Sequence, residues 1–240
     1  MATQGKKRKI SDLFERGRPL NLEQKKDLRR QKIIDAAEAL VRETGSTDFS
    51  MNALAAKAGF STPTTYNLIG SKGTVLYILL NQYQDRLDFT SSRTSDDANP
   101  FRKVLDAAEV ATRLYTDDSA FIRALMRFLL GIPDPVHRPA FMIRGYRYWN
   151  RSFDGLEDAG YFDCAINRDA LSRDFLVFFT GLIDLWVHEE LDDEQFSLQA
   201  ECGVILRLLA LTGKEDRSWM KQRLIDLQDE VEPIYGEQTA

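Results

Sequence analysis

Histidine and cysteine are scarce in this chain of 240 residues, with two of each: His137 and His188, Cys164 and Cys202. The cysteines show no Cys-x-x-Cys spacing, so a disulfide framework or a zinc site has no support and a reducing compartment fits. Hydrolytic or metal chemistry needs His, Cys or paired carboxylates brought together. The nearest approach is Asp184 with His188 and Glu189. At a spacing of four, Asp184 and His188 share a helix face and could fill two positions of a metal site, although a hydrogen-bonded or solvent-facing pair is the commoner result of that spacing. Glycine-rich phosphate loops are also missing. No catalytic group, metal or cofactor is therefore expected, and a helical enzyme with a metal site near Asp184 and His188 is kept only as an alternative. No stretch approaches the ~18 consecutive apolar residues of a membrane span. The N-terminal MATQGKKRKISDLFERGRPL has no apolar run of signal-peptide length. The expectation is a cytoplasmic protein without a membrane partner. Period-two alternation is absent too, which argues against strands.

What is present begins with charge. The formal net charge is −5, with 43% hydrophobic and 29% charged residues, the composition of a soluble globular protein. The sum conceals a polarity. Residues 1–72 hold 14 Lys and Arg against 8 Asp and Glu, whereas the remainder holds 18 against 29. An acidic body would turn a polyanion away everywhere except at the basic end. Residues 1–23 form a basic arm with Lys6, Lys7, Arg8 and Lys9 in a row, and Gly17, Arg18 and Pro19 breaking any helix. Such an arm either enters a minor groove or is simply disordered.

Residues 50–76, SMNALAAKAGFSTPTTYNLIGSKGTVL, read as two short helices set at an angle. Ser50 is an N-cap able to satisfy an orphan N–H, and Met51, Leu54, Ala55 and Ala58 make one apolar face. Gly59 stops the first helix. Ser61 or Thr62 caps the second, Pro63 is tolerated in its first turn, and Tyr66 and Ile69 are expected to point back to the core. Two helices joined by a short Gly-containing turn form a helix-turn-helix, whose second helix enters the major groove. A preceding helix runs from Asn21 or Leu22 to Thr44 on Ile33, Ala36, Ala37, Leu40 and Val41, with Gly45 as its stop.

Leu54, Ala55, Ala58, Gly59, Phe60, Ser61, Tyr66, Lys72 and Leu76, with Ile33, Ala37, Leu40 and Gly45 before them, resemble the signature of the TetR family of bacterial transcriptional regulators over residues 28–80. Ile69 stands where that family usually has Phe, Leu68 where it often has His, and Pro63 where Gly or a polar residue is common. The resemblance implies an all-α fold: an N-terminal three-helix helix-turn-helix DNA-binding domain, 24–76, and a larger C-terminal helical domain, 77–240, for effector binding and dimerisation. It further implies a homodimer on a palindromic double-stranded DNA operator, a repressor released by a small, apolar or amphipathic effector. An alternative is a helix-turn-helix regulator signalled by a protein partner. Ser50 and Lys72 are expected to clamp phosphates, with Tyr66 adding a phosphate or sugar contact. Asn52, Thr62, Pro63, Thr64 and Asn67 are candidates at the base edges, while Thr65 faces either the groove or the packed side. Lys25, Lys26, Arg29 and Arg30 are further phosphate candidates.

Beyond residue 76 the chain reads as helices: Val75 to about Ser91, Phe101–Tyr115, Ser119–Leu130, Phe141 to about Ala159, Arg168–Glu190, Asp193–Leu211 and Glu215 to about Val231, with 91–100 a loop and GIPDPVHRP a break. The segment DFLVFFTGLIDLWV and the following helix are apolar on more than one side. They therefore need either two partners, one of them a second subunit, or a central place in a monomer. Leu182, Ile183, Trp186, Leu198, Cys202, Ile205 and Leu209 are the candidate dimer residues. Phe121, Met126, Phe128, Phe141, Met142, Tyr146, Trp149, Phe153, Phe175, Phe178 and Phe179 are candidate walls of an effector pocket. Arg123, Arg127, Arg144, Tyr146, Asn150 and His188 are its candidate polar anchors.

Overall fold

The computed structural model describes residues 21–91, 99–163 and 165–231. The basic cluster Lys6–Lys9 and Cys164 lie outside the described residues. Eleven helices and no strand make up the described chain, as the absence of period-two runs requires: α1 Leu22–Thr44, α2 Met51–Ala58, α3 Thr62–Ile69, α4 Lys72–Ser91, α5 Pro100–Thr116, α6 Ser119–Gly131, α7 Arg138–Ser152, α8 Asp154–Asp158, α9 Arg168–Val187, α10 Asp193–Leu208 and α11 Lys214–Glu230.

The first three helices are delimited by their own side chains. At the start of α1 a capping box closes, with Asn21 Oδ1 accepting from Gln24 N at 2.9 Å and Gln24 Oε1 from Asn21 N at 3.0 Å. Ser50 Oγ accepts from Ala53 N at 3.1 Å, and Ser61, rather than Thr62, caps α3 by accepting from Thr64 N at 3.3 Å. Pro63 lies in the first turn of α3, where no backbone donor is needed. Gly59 ends α2 at φ 75, a left-handed conformation that a side chain would strain, and this sharp exit sets α3 across α2. Ile33, Ala37 and Val41 of α1 pack with Leu54 of α2, Ile69 of α3 and Val75 and Leu76 of α4 in a core from which solvent is excluded. Thr65 joins it, and its hydroxyl is satisfied by the Ser61 carbonyl at 3.2 Å. Of the two aromatic and aliphatic residues expected inward on α3, only Ile69 is buried. Tyr66 is 50% exposed, because it falls one position after Thr65, on the far side of a helix whose inner stripe is Thr65 and Ile69.

Helix α4 joins this head to the body, packing on α1 and also on α5, α6 and α7; the expected boundary at residue 76 falls inside it. A second tie is ionic. Arg42 of α1 makes a fork with Asp118 at the start of α6, through Nη1 to Oδ1 at 2.9 Å and Nη2 to Oδ2 at 2.8 Å, and lies over the Phe121 ring at 4.2 Å. The Tyr83 hydroxyl of α4 donates to the same carboxylate. The Arg42 fork holds the Asp118 carboxyl below its ordinary pKa, while burial and then the Asp118 bond push Tyr83 up to about 12. A depressed folded pKa contributes stability that is fully present above the unfolded value of ~3.9 and is lost as pH falls through the lower folded value. Asp118→Asn should therefore cost about 1–2 kcal/mol at pH 7. In urea titrations its gap from the parent should close as pH drops below the carboxylate range; an unchanged gap at acid pH would contradict the ion pair.

In the body, α9 lies at the centre, packed against α6, α7 and α10, while α10 also packs on α5 and α11. Helix ends here differ from the sequence reading. The segment from Arg138, taken as part of the proline-rich break, is the first turn of α7, with Pro139 at a position that tolerates it. The helix expected to run to Ala159 breaks at Phe153. That side chain is fully buried, edge-on to Phe175 at 4.9 Å, and a Cβ on the following Gly155 would lie 3.2 Å from Pro100 Cβ. Helix α9 ends at Val187 rather than Glu190 because Glu189 takes φ 65 and the N–H groups of Glu189 and Glu190 close on Trp186 and Leu185. Arg127 Nε then donates to the free Val187 carbonyl at 2.8 Å. Helix α10 closes at Leu208, three residues before Leu211.

Candidate functional site

Two features stand out: the outer face of α3 and a cavity among the body helices. On the head, Asn52, Pro63, Tyr66 and Asn67 are exposed, and Thr62 and Thr64 half-buried. The first turns of α2 and α3 are stitched together, Thr62 Oγ1 donating to Asn52 Oδ1 at 2.9 Å, a bond that uses the Asn52 carbonyl oxygen and not its amide hydrogens. The Ser61 and Thr64 hydroxyls are hydrogen-bonded to each other at 2.8 Å. Ser50 Oγ accepts from the backbone and so keeps its own hydroxyl proton to donate. Lys72 opens α4 after its cap Ser71, whose Oγ accepts from Thr74 N at 3.2 Å, and the Lys72 ammonium stands 5.2 Å from the Phe49 ring centre.

The cations of the head divide into those already paired and those left over. Lys57 is held by Glu43, and Arg42 by Glu38 and Asp118. Arg30, a phosphate candidate in the sequence, donates Nε to the Leu68 carbonyl at 2.8 Å and so fastens α1 to the C-terminal end of α3, where a positive charge also suits the helix dipole. Arg29 stays exposed. Among the described residues no ion pair engages Lys25, Lys26, Arg29 or Lys72.

The cavity is narrow, with a volume of about 60 Å³. Met126, Phe141, Met142, Trp149 and Phe179 line it, as expected. The other expected wall residues do not. Phe121 packs on Tyr83 at 5.6 Å, Phe128 on Tyr77 at 5.6 Å, and Phe153 and Phe175 on each other. Phe178 fills the space over Gly203, where a Cβ would meet its ring at 2.1 Å, and lies under Arg207. The Tyr146 hydroxyl donates to Asp169 at 2.8 Å. None of the expected polar anchors reaches the cavity, because each is drawn into a tie between helices or within one. Arg123 pairs with Asp193, Arg127 with Glu189, Arg144 with Asp85 and Asp88, Asn150 donates to Ser172, and His188 contacts the Asp184 carbonyl.

In their place the wall carries Gln84 and Leu87 of α4, Tyr115 of α5, Gly145 and Tyr148 of α7, and Leu176, Thr180 and Ile183 of α9. The signal for Gln84 was in the sequence. It occupies the apolar phase of α4 set by Leu76, Leu80 and Leu87, where a polar residue is out of place unless it has a task. Ile183, a candidate dimer residue, faces this cavity.

Three other dimer candidates belong to the protomer's own core. Leu182, Trp186 and Ile205 are buried; Trp186 stacks on Phe196 at 5.0 Å, lies under the Arg123 guanidinium and donates Nε1 to Asp193 at 2.8 Å. The apolar positions that do reach the surface of these helices are Val177, Gly181 and Leu206, with Leu185, Leu198, Cys202 and Leu209 half-buried beside them. Asp184 and His188 stand 3.6 Å apart on the same surface, and among the described residues no group of three or more His, Cys, Asp or Glu converges. No described helix is long and apolar enough to cross a membrane.

No family model matches the sequence, and no curated protein matches it. The fold, however, matches solved structures. SmeT, the repressor of the Stenotrophomonas maltophilia multidrug efflux pump SmeDEF, superposes with a TM-score of 0.58 at 19% identity, over 78% of this chain and 92% of its own. FadR of Thermus thermophilus, a TetR-family transcriptional repressor solved with lauroyl-CoA, gives 0.61 at 18% identity, over 78% and 96%. A TetR transcriptional regulator from Rhodococcus sp. RHA1 gives 0.60 at 18% identity, over 79% and 100%. The chain has the fold of the TetR-family regulators, an N-terminal helix-turn-helix followed by a helical body.

Proposed function

We propose that this chain, with the fold of the TetR-family regulators, is a cytoplasmic DNA-binding transcriptional repressor that works as a homodimer and releases its operator when a small apolar molecule enters the body. The observation that carries this reading is the head: a helix-turn-helix whose second helix turns Pro63, Tyr66 and Asn67 outward, flanked by cations that no carboxylate among the described residues has claimed. Lys72 and Ser50 supply donors for phosphates at the two ends of the motif, and Tyr66 a third. Asn52, Thr62, Thr64 and Asn67 have the hydrogen-bonding groups, and Pro63 the apolar surface, to meet base edges. A two-fold dimer would set two such helices ~34 Å or a multiple of the turn apart, which suits a palindrome.

The cavity favours a small-molecule signal over a protein partner. Its walls come from both α4 and α7. Helix α4 begins with Lys72 at the proposed phosphate clamp, and α7 begins beside it, where His137 Nε2 lies 3.4 Å from Thr74 Oγ1 and its ring stacks on Tyr77 at 5.1 Å. A molecule that parts α4 from α7 would therefore move the head. A differential affinity of ~100-fold for the displaced form would shift the equilibrium by ~2.7 kcal/mol, enough to release DNA.

Selection of bound duplexes from a randomised library, repeated with Lys72→Ala, tests the reading. The parent should recover a palindrome. Lys72→Ala should weaken binding on all sequences alike and lower the slope of log affinity against log salt by ~1 per subunit contact. A change of base preference instead would assign Lys72 to readout, and no enrichment at low salt in the absence of effectors would remove the proposed function.

A further inference from the structure

Among the described residues the lining of the cavity carries no charged side chain, and its polar members are few. Gln84 is the anomalous one. It is only 5% exposed, and its Nε2 is buried without any hydrogen-bond partner. A buried amide donor left unpaired costs free energy, and apolar substitutes of similar size would avoid that cost. Around it stand flat or pliable apolar surfaces, Trp149 against Phe179 at 4.2 Å between ring centres, with Met126 and Met142 beside them.

We propose that Gln84 is the specificity anchor of this cavity, and that the ligand is an uncharged aromatic molecule carrying a carbonyl-type acceptor oxygen, which takes a hydrogen bond from Gln84 Nε2. This rests on reading the cavity as the effector site. The acceptor follows from the donor that lacks a partner. The neutrality follows from walls that offer no counter-charge: an ionised ligand group would be desolvated without compensation. Burial pushes the Tyr115 hydroxyl up to about 12, so the one titratable group beside Tyr148 in the lining stays neutral across ordinary pH. The small open volume means that the walls part on binding, in keeping with a ligand that changes the separation of α4 and α7.

The test uses the full chain and two probes of nearly the same shape, 2-acetylnaphthalene and 2-isopropenylnaphthalene, the second with a methylene group in place of the ketone oxygen. Equilibrium dialysis should show the parent protein binding the ketone about tenfold more tightly than the hydrocarbon. Gln84→Leu should abolish that preference while retaining the hydrocarbon, and its thermal unfolding midpoint should rise, since an unpaired buried amide is gone. Gln84→Met, which keeps much the same length and volume but has no N–H donor, should likewise lose the preference for the ketone while retaining the hydrocarbon. Equal binding of both probes by parent and Gln84→Leu would overturn the anchor and leave the cavity as an effector site. Binding of neither probe by the parent would overturn the cavity reading and the anchor with it.

Discussion

From the proposed homodimeric repressor, Val177→Asp combined with Leu206→Asp is expected to give a folded monomer that binds the selected palindrome at least ~100-fold more weakly than the parent. Both side chains are apolar and project from the protomer, Val177 at 71% and Leu206 at 56% exposure, on the neighbouring helices α9 and α10. Those helices are already locked to each other. Arg207 bonds Asp174 at 2.7 Å, and one turn further along both helices Phe178 lies against Gly203. Substitutions at such exposed positions change protomer stability by about 0.5 kcal/mol or less. Across a two-fold interface each carboxylate would instead be buried against an apolar surface and meet its own copy, which is strongly unfavourable. Loss of the proposed dimer would turn two linked half-site contacts into one, so the effect on affinity should far exceed that of any single contact. Light scattering gives the mass, circular dichroism the fold, and mobility shift the affinity. A variant that remains dimeric would place the interface on another face.

Trp186→Ala should have the largest effect on stability, about 3–5 kcal/mol, enough to threaten a marginally stable domain. The indole is fully buried where α5, α6, α9 and α10 meet, stacked on Phe196 and near Tyr115, and its N–H bonds the carboxylate that also pairs with Arg123. Truncation would open a cavity and leave Asp193 with one donor fewer. Trp186→Phe should lose less, about 1–2 kcal/mol, since most of the packing stays and the hydrogen bond goes. Urea unfolding followed by far-ultraviolet circular dichroism measures both. A loss under 1 kcal/mol for Trp186→Ala would mean that Trp186 sits at a yielding surface, as a dimer-interface residue of an isolated protomer would.

Gly203→Ala probes the same packing from the other side. The methyl group would displace the Phe178 ring and, with it, the guanidinium of Arg207 that lies 3.9 Å from the ring centre. The ring is only half-buried and can swing out, so the expected net effect is small, because the helix gain of Ala over Gly opposes the strain.

The head was legible in the sequence because its signals are local. Ser50, Ser61, Gly45 and Gly59 act on backbone groups within a few residues of themselves, so their types and spacing name the helices and the turn between them. The tie that Arg30 makes was not legible there, for the opposite reason. Its partner, the Leu68 carbonyl, lies 38 residues away in sequence, and nothing in a one-dimensional reading separates a cation that holds a helix end from one that waits for a phosphate.

In the body, composition alone established that helices would bury many aromatic residues, while the rotation of each helix about its axis was open. That rotation decides everything about the cavity. Phe121, Phe153 and Phe175 are as apolar as Phe141 and Phe179, yet only the latter two face the gap between α4, α7 and α9. The arginines expected as anchors are instead paired with carboxylates, Arg123 with Asp193, Arg127 with Glu189 and Arg144 with Asp85 and Asp88, since an unpaired charge beside an apolar cavity would be costly. Gln84, uncharged and without a partner, remained. Local caps, periodicity and charge polarity along the chain thus determined an all-α protein with a helix-turn-helix at a basic end. Only the tertiary structure decided which side chains pair, which are buried and which are left open, because those depend on contacts between residues far apart in sequence.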